Sequence, residues 1–212
     1  MTSIGIFGSG RVATALATKL ATTGNDVTIG TRNLTDVSAR WKGPAVTFAD
    51  PAQTARQASI IINATPGDTS LERLSVLREE LDGKILVDVS NATEHGSNGL
   101  PGTLSYPNSS LAEHLQQALP GTHVVKTLNT MLFSVMVDPH SLNVPPTAFL
   151  SGNDTGAKAA VSKVLGDLGW PPAWIHDLGD IFTARGTEAL VLLVPHFIRT
   201  RGLMPFALTV AS

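Results

Sequence analysis

The residues best suited to chemistry stand at the start of the chain, where Gly8-Ser9-Gly10-Arg11-Val12-Ala13 forms a G-x-G-x-x-A turn. An apolar, β-branched run precedes it, and Val12 to Leu20 continue at helical spacing, so strand, tight turn and helix follow one another. Such a turn suits a pyrophosphate. Gly10 lets the backbone approach the ligand closely, and the unpaired N–H groups and dipole of the helix start favour an anion. Asp26-Val27-Thr28-Ile29-Gly30 reads as a second strand, after a helix ended by Gly24. A site for NAD would place an acid near the end of that strand to hold the ribose 2′-hydroxyl. Thr31-Arg32-Asn33 stand there instead, and Asp26 lies at the strand's opposite end. A carboxylate would repel a 2′-phosphate, whereas an arginine fork and a threonine hydroxyl bind one. The pattern points to NADP(H), against the plainer reading of a solvated loop that happens to carry an arginine.

These groups need a scaffold that brings several strand ends together. Short β-branched runs alternate with helical segments, which predicts an α/β fold of the Rossmann type: a doubly wound, mostly parallel sheet of about eight strands with a C-terminal helical extension. Further strands are expected at Ala45–Phe48, Ser59–Asn63, Lys84–Asp88, His123–Lys126, Thr147–Leu150 and Trp174–His176. Helices are expected at Pro51–Gln57, Thr69–Leu81, Ser110–Leu119 and Thr155–Leu168, with a helical tail from Asp180 to about Thr200 broken at Gly186 and Pro195. Ser90 to Ser109 is rich in glycine and proline and reads as an irregular lid or substrate loop beside the ligand crevice. The whole chain is expected to be a single domain, with residues 1–127 as the dinucleotide-binding core and residues 128–212 as a substrate and dimerisation portion.

In a sheet of this kind the ligand lies across the carboxyl ends of the strands. Ala64-Thr65-Pro66, Ser90-Asn91-Ala92 and Leu128-Asn129-Thr130-Met131 follow three of them. Thr65-Pro66 would pass beneath the adenosine side, and proline fixes the backbone there. Asn91, with Ala92 beside it, and Asn129 would reach the nicotinamide ribose or carboxamide, or else cap their own turns. Lys126 is a candidate proton donor for a carbonyl or imine product, against an ammonium that merely holds a loop carbonyl or a phosphate.

Composition bounds the rest. The 212 residues are 42% hydrophobic and 15% charged with a formal net charge of −2, which gives no electrostatic reason to expect nucleic acid or an anionic membrane as a partner. Cysteine is absent, so thiol, disulfide and Cys-based metal chemistry are excluded, in keeping with a cytoplasmic setting. No signal peptide is expected ahead of the first strand. The longest apolar segment, Ala189 to Pro195, falls well below the ~18 residues of a spanning helix. The six histidines show no metal-ligand spacing, and no metal is expected. Trp170 and Trp174 read as core or interface filler, and the apolar tail reads as a homodimer interface.

Several segments together resemble the NADPH-dependent reductases of the deazaflavin coenzyme F-420, and the related oxidoreductase domain of six-transmembrane metalloreductases. They are Gly8–Ala13, Gly30-Thr31-Arg32-Asn33, Asp88-Val89-Ser90-Asn91, His123–Met131 and Ser151-Gly152-Asn153-Asp154. Leu128 departs from the pattern, where an aromatic residue is common. The resemblance implies hydride transfer between NADPH and a deazaflavin or similar flat ring, with coenzyme F-420 as co-substrate. Such transfer needs two rings held about 3–3.5 Å apart in a water-poor slot and little acid–base help. Thr130, Met131, Leu132 and Phe133 would wall that slot. His196, with Arg185, Arg199 and Arg201, would meet an anionic substrate tail, against the plainer reading of a solvated helix face. Two rival readings stay open: a reductase of a small carbonyl, imine or flavin–iron substrate, and an NADPH-binding sensor without turnover.

Overall fold

The strand from Ser3 to Phe7 buries Ile4 and Ile6 in one apolar layer and Phe7 in the other, and the rest of the molecule is built outward from it. The computed structural model describes residues 2–96 and 99–211. Ser97 and Asn98, within the expected lid, lie outside the described residues. In chain order the elements are β1 (Ser3–Phe7), α1 (Arg11–Thr22), β2 (Asp26–Gly30), α2 (Leu34–Arg40), β3 (Thr47–Ala49), α3 (Pro51–Gln57) and β4 (Ile60–Asn63). They continue with α4 (Gly67–Ser75), α5 (Arg78–Leu81), β5 (Ile85–Asp88), β6 (Thr93–His95), β7 (Pro101–Leu104), α6 (Leu111–Ala118) and β8 (His123–Lys126). The last are α7 (Phe133–Val137), β9 (Ala148–Gly152), α8 (Thr155–Leu168), β10 (Ile175–Asp177), α9 (Ala184–Ala189) and α10 (Val194–Arg201).

The eight-stranded sheet runs β10-β9-β8-β5-β4-β1-β2-β3. Strands β3, β2, β1, β4, β5 and β8 are mutually parallel, while β9 pairs antiparallel with β8 and β10 follows β9. The sheet is therefore α/β, Rossmann-like and mostly parallel, with its topological switch between β1 and β4. Period-two alternation sends Ile60 and Ile62 into one apolar layer with Leu16, Leu20 and Val161, and Ile61 into the other with Leu74, Leu81 and Leu115. Helices α1, α7 and α8 cover the first face, and α3, α4 and α6 the second.

Register aligns the functional ends. Gly30 pairs with Phe7, Phe7 with Asn63, Asn63 with Asp88 and Asp88 with Lys126, so one row crosses five strands at their carboxyl edge. Every loop expected to carry chemistry leaves from that row.

Several local expectations are corrected. The third strand lies at Thr47–Ala49, shifted toward the residues that reach Ala49 in the core. The helix expected over 69–81 begins two residues earlier and breaks at Val76-Leu77 into α4 and α5. The stretch expected to be irregular contains the antiparallel pair β6–β7, where Thr93 faces Leu104. Gly186 lies inside α9 and breaks nothing. Pro195 opens α10, a first-turn position whose missing N–H costs no helical bond. Helical geometry therefore continues from Ile181 to Arg201, the one run among the described residues long and apolar enough to cross a membrane by length and composition; only 17% of its apolar window is buried. That run carries Arg185 and the buried Glu188, both tied to the body of the fold.

Candidate functional site: a dinucleotide cleft at the carboxyl edge of the sheet

The turn between β1 and α1 is shaped by glycine where a side chain cannot fit. Gly8 has φ +114°, and a Cβ there would lie 2.7 Å from the Ala64 carbonyl oxygen. Gly10 is the N-cap of α1, has no side chain to cap the helix, and a Cβ there would project into open space. The first intrahelical bond runs from the Thr14 N–H to the Gly10 carbonyl at 2.9 Å, so the N–H groups ahead of it have no helical partner. No acid stands in the first turn of α1. An uncapped 12-residue helix whose N-terminus opens into a cleft is a place for a diphosphate.

That cleft has a volume of about 1160 Å³. It brings together Gly8, Ser9, Gly10, Arg11, Val12, Thr31, Arg32, Asn33, Ala64, Thr65 and Pro66, all eleven of the cofactor-side residues expected from the first, second and fourth strand ends. Thr31 is fixed by its N–H on the Ala49 carbonyl (3.0 Å), and its hydroxyl accepts from the Asn33 N–H (3.2 Å). Arg32 is exposed beside it and forms no ion pair among the described residues. Thr65 donates its hydroxyl to Asn63 Oδ1 at 2.6 Å, which pins the turn into Pro66. Sequence reasoning missed the far wall, where Thr69, Glu72 and Arg73 of α4 line the same cleft. It also missed Gly67, where a Cβ would overlap the Asn91 carbonyl oxygen, so only glycine lets α4 approach the end of β5.

At the ends of β5 and β8, Asn91 and Asn129 hold each other. Asn91 Nδ2 donates to the Asn129 carbonyl at 2.8 Å, and Asn129 Nδ2 donates to Asn91 Oδ1 at 2.9 Å. Between Lys126 and Asn129 the chain turns through Leu128, whose φ of +59° lies in the left-handed region that a branched side chain rarely adopts. Ala92, expected on the cofactor side, is buried in the apolar layer with Leu74 and Leu111, so its side chain presents no surface to the cleft.

Lys126 does not face the cleft. Its ammonium is fully buried, 2.7 Å from Asp88 Oδ2 and 2.8 Å from Glu188 Oε1, and also donates to the Ser90 carbonyl. Burial pushes its pKa down, but the two carboxylates outweigh burial and hold it above the ordinary lysine value. All three protons are committed. Glu188 accepts in turn from the Leu111 and Ala112 N–H groups at 2.9 and 3.2 Å, the N-terminus of α6, which offsets the extra negative charge. Glu188 sits in the C-terminal tail some sixty residues beyond Lys126, and no spacing in the sequence marks it as that lysine's partner.

The expected substrate walls are only partly available. Thr130 and Met131 are buried, and the C-terminal tail pairs with them: Met131 bridges Ala207, the Leu132 N–H donates to the Phe206 carbonyl and the Leu208 N–H to the Thr130 carbonyl. Leu132 and Phe133 are half-buried, and the Phe133 ring lies 5.6 Å beneath the Arg11 guanidinium, joining the glycine turn to α7. His196 is exposed on α10 and does not line the cleft. Arg185 is no free cation, because it pairs with Glu113 and covers the Phe182 ring at 3.7 Å. Trp170 is core, its indole N–H on the Met136 carbonyl at 3.0 Å. Among the described residues no group of three potential ligands could hold a metal ion.

A glycine turn at the switch point of a doubly wound sheet, with Thr31 and Arg32 at the neighbouring strand end, is the arrangement of a dinucleotide-binding fold. Residues 3–92 match the family described as NADP oxidoreductase, coenzyme F420-dependent. A solved structure from Arthrobacter sp. FB24, provisionally described as an F420-dependent NADP-reductase, is 39% identical over 100% of both chains with a TM-score of 0.90. Metalloreductase STEAP3 of Rattus norvegicus is 32% identical over 89% of this chain and 36% of its own length. F420-dependent NADP reductase of Methanocaldococcus jannaschii is 27% identical over 66% of this chain and 62% of its own. The chain thus spans little more than a third of the metalloreductase and under two thirds of the archaeal reductase. It belongs to the coenzyme F420-dependent NADP oxidoreductase family.

Proposed function

We propose that this chain transfers a hydride between NADP(H) and coenzyme F-420 or a similar flat-ring acceptor. The observation that carries the reading is the cleft itself, in which an uncapped helix N-terminus and an unpaired arginine on the next strand end face one space. When bound, the dinucleotide supplies a transferable hydride on its nicotinamide carbon. The N–H groups of Arg11 and Val12 bind the pyrophosphate, and Thr31 and Arg32 bind the 2′-phosphate. Thr65 and Pro66 carry the adenosine side. Asn91 and Asn129 orient the nicotinamide end, while Thr130, Met131, Leu132 and Phe133 exclude water from the acceptor slot. His196 remains our assignment for the acceptor's anionic tail.

No protein proton is required by such a transfer, and Lys126 is assigned a structural role because each of its protons already has an acceptor. We assign residues 1–127 to the cofactor and 128–212 to the acceptor and to a homodimer contact, in a cytoplasmic setting. Leu203, Met204 and Val210 stand exposed on that second portion, and light scattering of the purified chain reads whether it pairs. The functional test mixes purified protein with NADPH and a panel of acceptors, deazaflavin first, and follows nicotinamide oxidation. Turnover with the deazaflavin is expected. Tight NADPH binding with no turnover on any acceptor would replace this reading with a sensor.

A further inference from the structure

Helix α9 contributes one charged group to the interior, Glu188, and it ends on Lys126 at the end of β8. Glu188 Oε1 lies 2.8 Å from Lys126 Nζ, and the Glu188 side chain is only 4% exposed. Lys126 also binds Asp88 Oδ2 and the Ser90 carbonyl. Asp88 Oδ1 accepts from Asn63 Nδ2 at 2.9 Å and from the Ser90 hydroxyl at 2.7 Å, and Asn63 Oδ1 holds Thr65. One buried network thereby joins the ends of β4, β5 and β8. Ser90 is the residue before Asn91, and Asn91 is the partner of Asn129.

We propose that Glu188 is a positioning residue for the nicotinamide half of the cofactor site: it fixes Lys126, Lys126 holds the Ser90 carbonyl, and that carbonyl sets the Asn91–Asn129 pair. The inference rests on the assignment of Asn91 and Asn129 to the nicotinamide. A buried lysine offered two carboxylates and one carbonyl has a single arrangement that uses all three protons. In Glu188→Gln the side chain has one acceptor oxygen where the carboxylate has two, so it cannot accept from Lys126 and from both α6 N–H groups at once. The side chain shifts and the ammonium rotates to re-pair its proton. The Ser90 carbonyl is the contact such a rotation releases. The adenosine half lies farther along the same network, reached from Glu188 only through Lys126, Asp88, Asn63 and Thr65, so it should be disturbed less than the Asn91–Asn129 pair.

The test compares wild type, Glu188→Gln and Arg185→Ala with two ligands, adenosine 2′,5′-bisphosphate and NADPH. Calorimetry gives both affinities, and nicotinamide fluorescence reports how the ring is held without any turnover. Arg185→Ala removes the Glu113 pair on the same helix and leaves Lys126 untouched, so it controls for loosening of the helix. Expected for Glu188→Gln is bisphosphate affinity unchanged within about twofold, NADPH weakened about tenfold, and nicotinamide emission moved toward that of free NADPH. Arg185→Ala should match wild type in all three. Equal behaviour of Glu188→Gln and wild type overturns the proposal, as does an equal loss for both ligands or the same loss in Arg185→Ala. Should Glu188→Gln not fold, Glu188→Asp carries the same comparison, keeping the charge and shortening its reach. Failure of wild type itself to bind NADPH would sink the underlying reading instead, and is scored separately.

Discussion

Gly8 stands against Ala64 with no room between them: a Cβ on Gly8 would lie 2.7 Å from the Ala64 carbonyl oxygen. The first and fourth strand ends are thus in backbone contact across the switch point. The glycine loop is braced by the loop that carries Thr65 and Pro66. Two glycines of one motif therefore differ: Gly8 is needed by the fold, and Gly10, open to the cleft, is the one our proposal gives to the ligand.

Substitution should separate them. Gly8→Ala combines a positive φ of +114° with a backbone clash and should destabilise the fold by roughly 1–3 kcal/mol, read by chemical unfolding. At Gly10 a Cβ meets open space, so Gly10→Val should cost only about 1 kcal/mol, the loss of a good N-cap residue, while NADPH binding falls by at least about tenfold. Normal NADPH affinity in Gly10→Val would remove the pyrophosphate from the start of α1.

Arg32→Ala should weaken NADPH by about 1.5–3 kcal/mol, the worth of a hydrogen bond to a charged group, and leave NADH nearly unchanged. Calorimetric titration of the two cofactors decides it. Equal losses would show that Arg32 does not read the 2′-phosphate.

Lys126→Met leaves Asp88 and Glu188 facing each other without a cation. The cost should be roughly 3–5 kcal/mol, seen as a fall in melting temperature of roughly 10 °C or more at neutral pH. Uncompensated carboxylates take up protons more readily, so the deficit should shrink as pH is lowered. A deficit independent of pH would mean that the lysine contributes packing alone.

Glu113 gives a second, milder pH dependence. Burial pushes its pKa up, but hydrogen bonds from Arg185 and from the Ser110 and Ser109 hydroxyls outweigh burial and hold it below the ordinary carboxylate value. A group with a depressed folded pKa contributes stability that is present above its unfolded pKa, near 4.5, and is lost as pH falls through the folded pKa. Unfolding measured across the acid range should show wild type losing part of its advantage over Arg185→Ala as Glu113 protonates. A difference between the two that stays constant through that range would contradict the assignment.

Much of this was legible because it is local. A β-branched run, two glycines and an amphipathic helix state the β1–α1 unit within twenty residues, and Asp154, Ser110 and Asp50 mark helix starts whose caps the structure contains. Residues that follow each strand on one edge could be gathered from topology alone. The antiparallel entry of β9 could not, since a four-residue apolar run reads the same in either direction. Glu188 was invisible for a deeper reason. Its partner Lys126 and the α6 amides it caps meet it only through the tertiary fold, and a glutamate in an apolar helix looks like any solvated charge. The same holds for Met131, whose pairing with Ala207 depends on where the tail returns.

The most direct measurement uses NADPH carrying two deuteriums at the transferring carbon of its nicotinamide, so that either face delivers the label. Wild-type protein, the labelled cofactor and oxidised deazaflavin are mixed for a single turnover, and the products are separated for mass spectrometry. Direct transfer between two stacked rings predicts one deuterium in the reduced deazaflavin and one retained on the oxidised cofactor. Both deuteriums still on the cofactor, or a reduced acceptor carrying only solvent hydrogen, would contradict it.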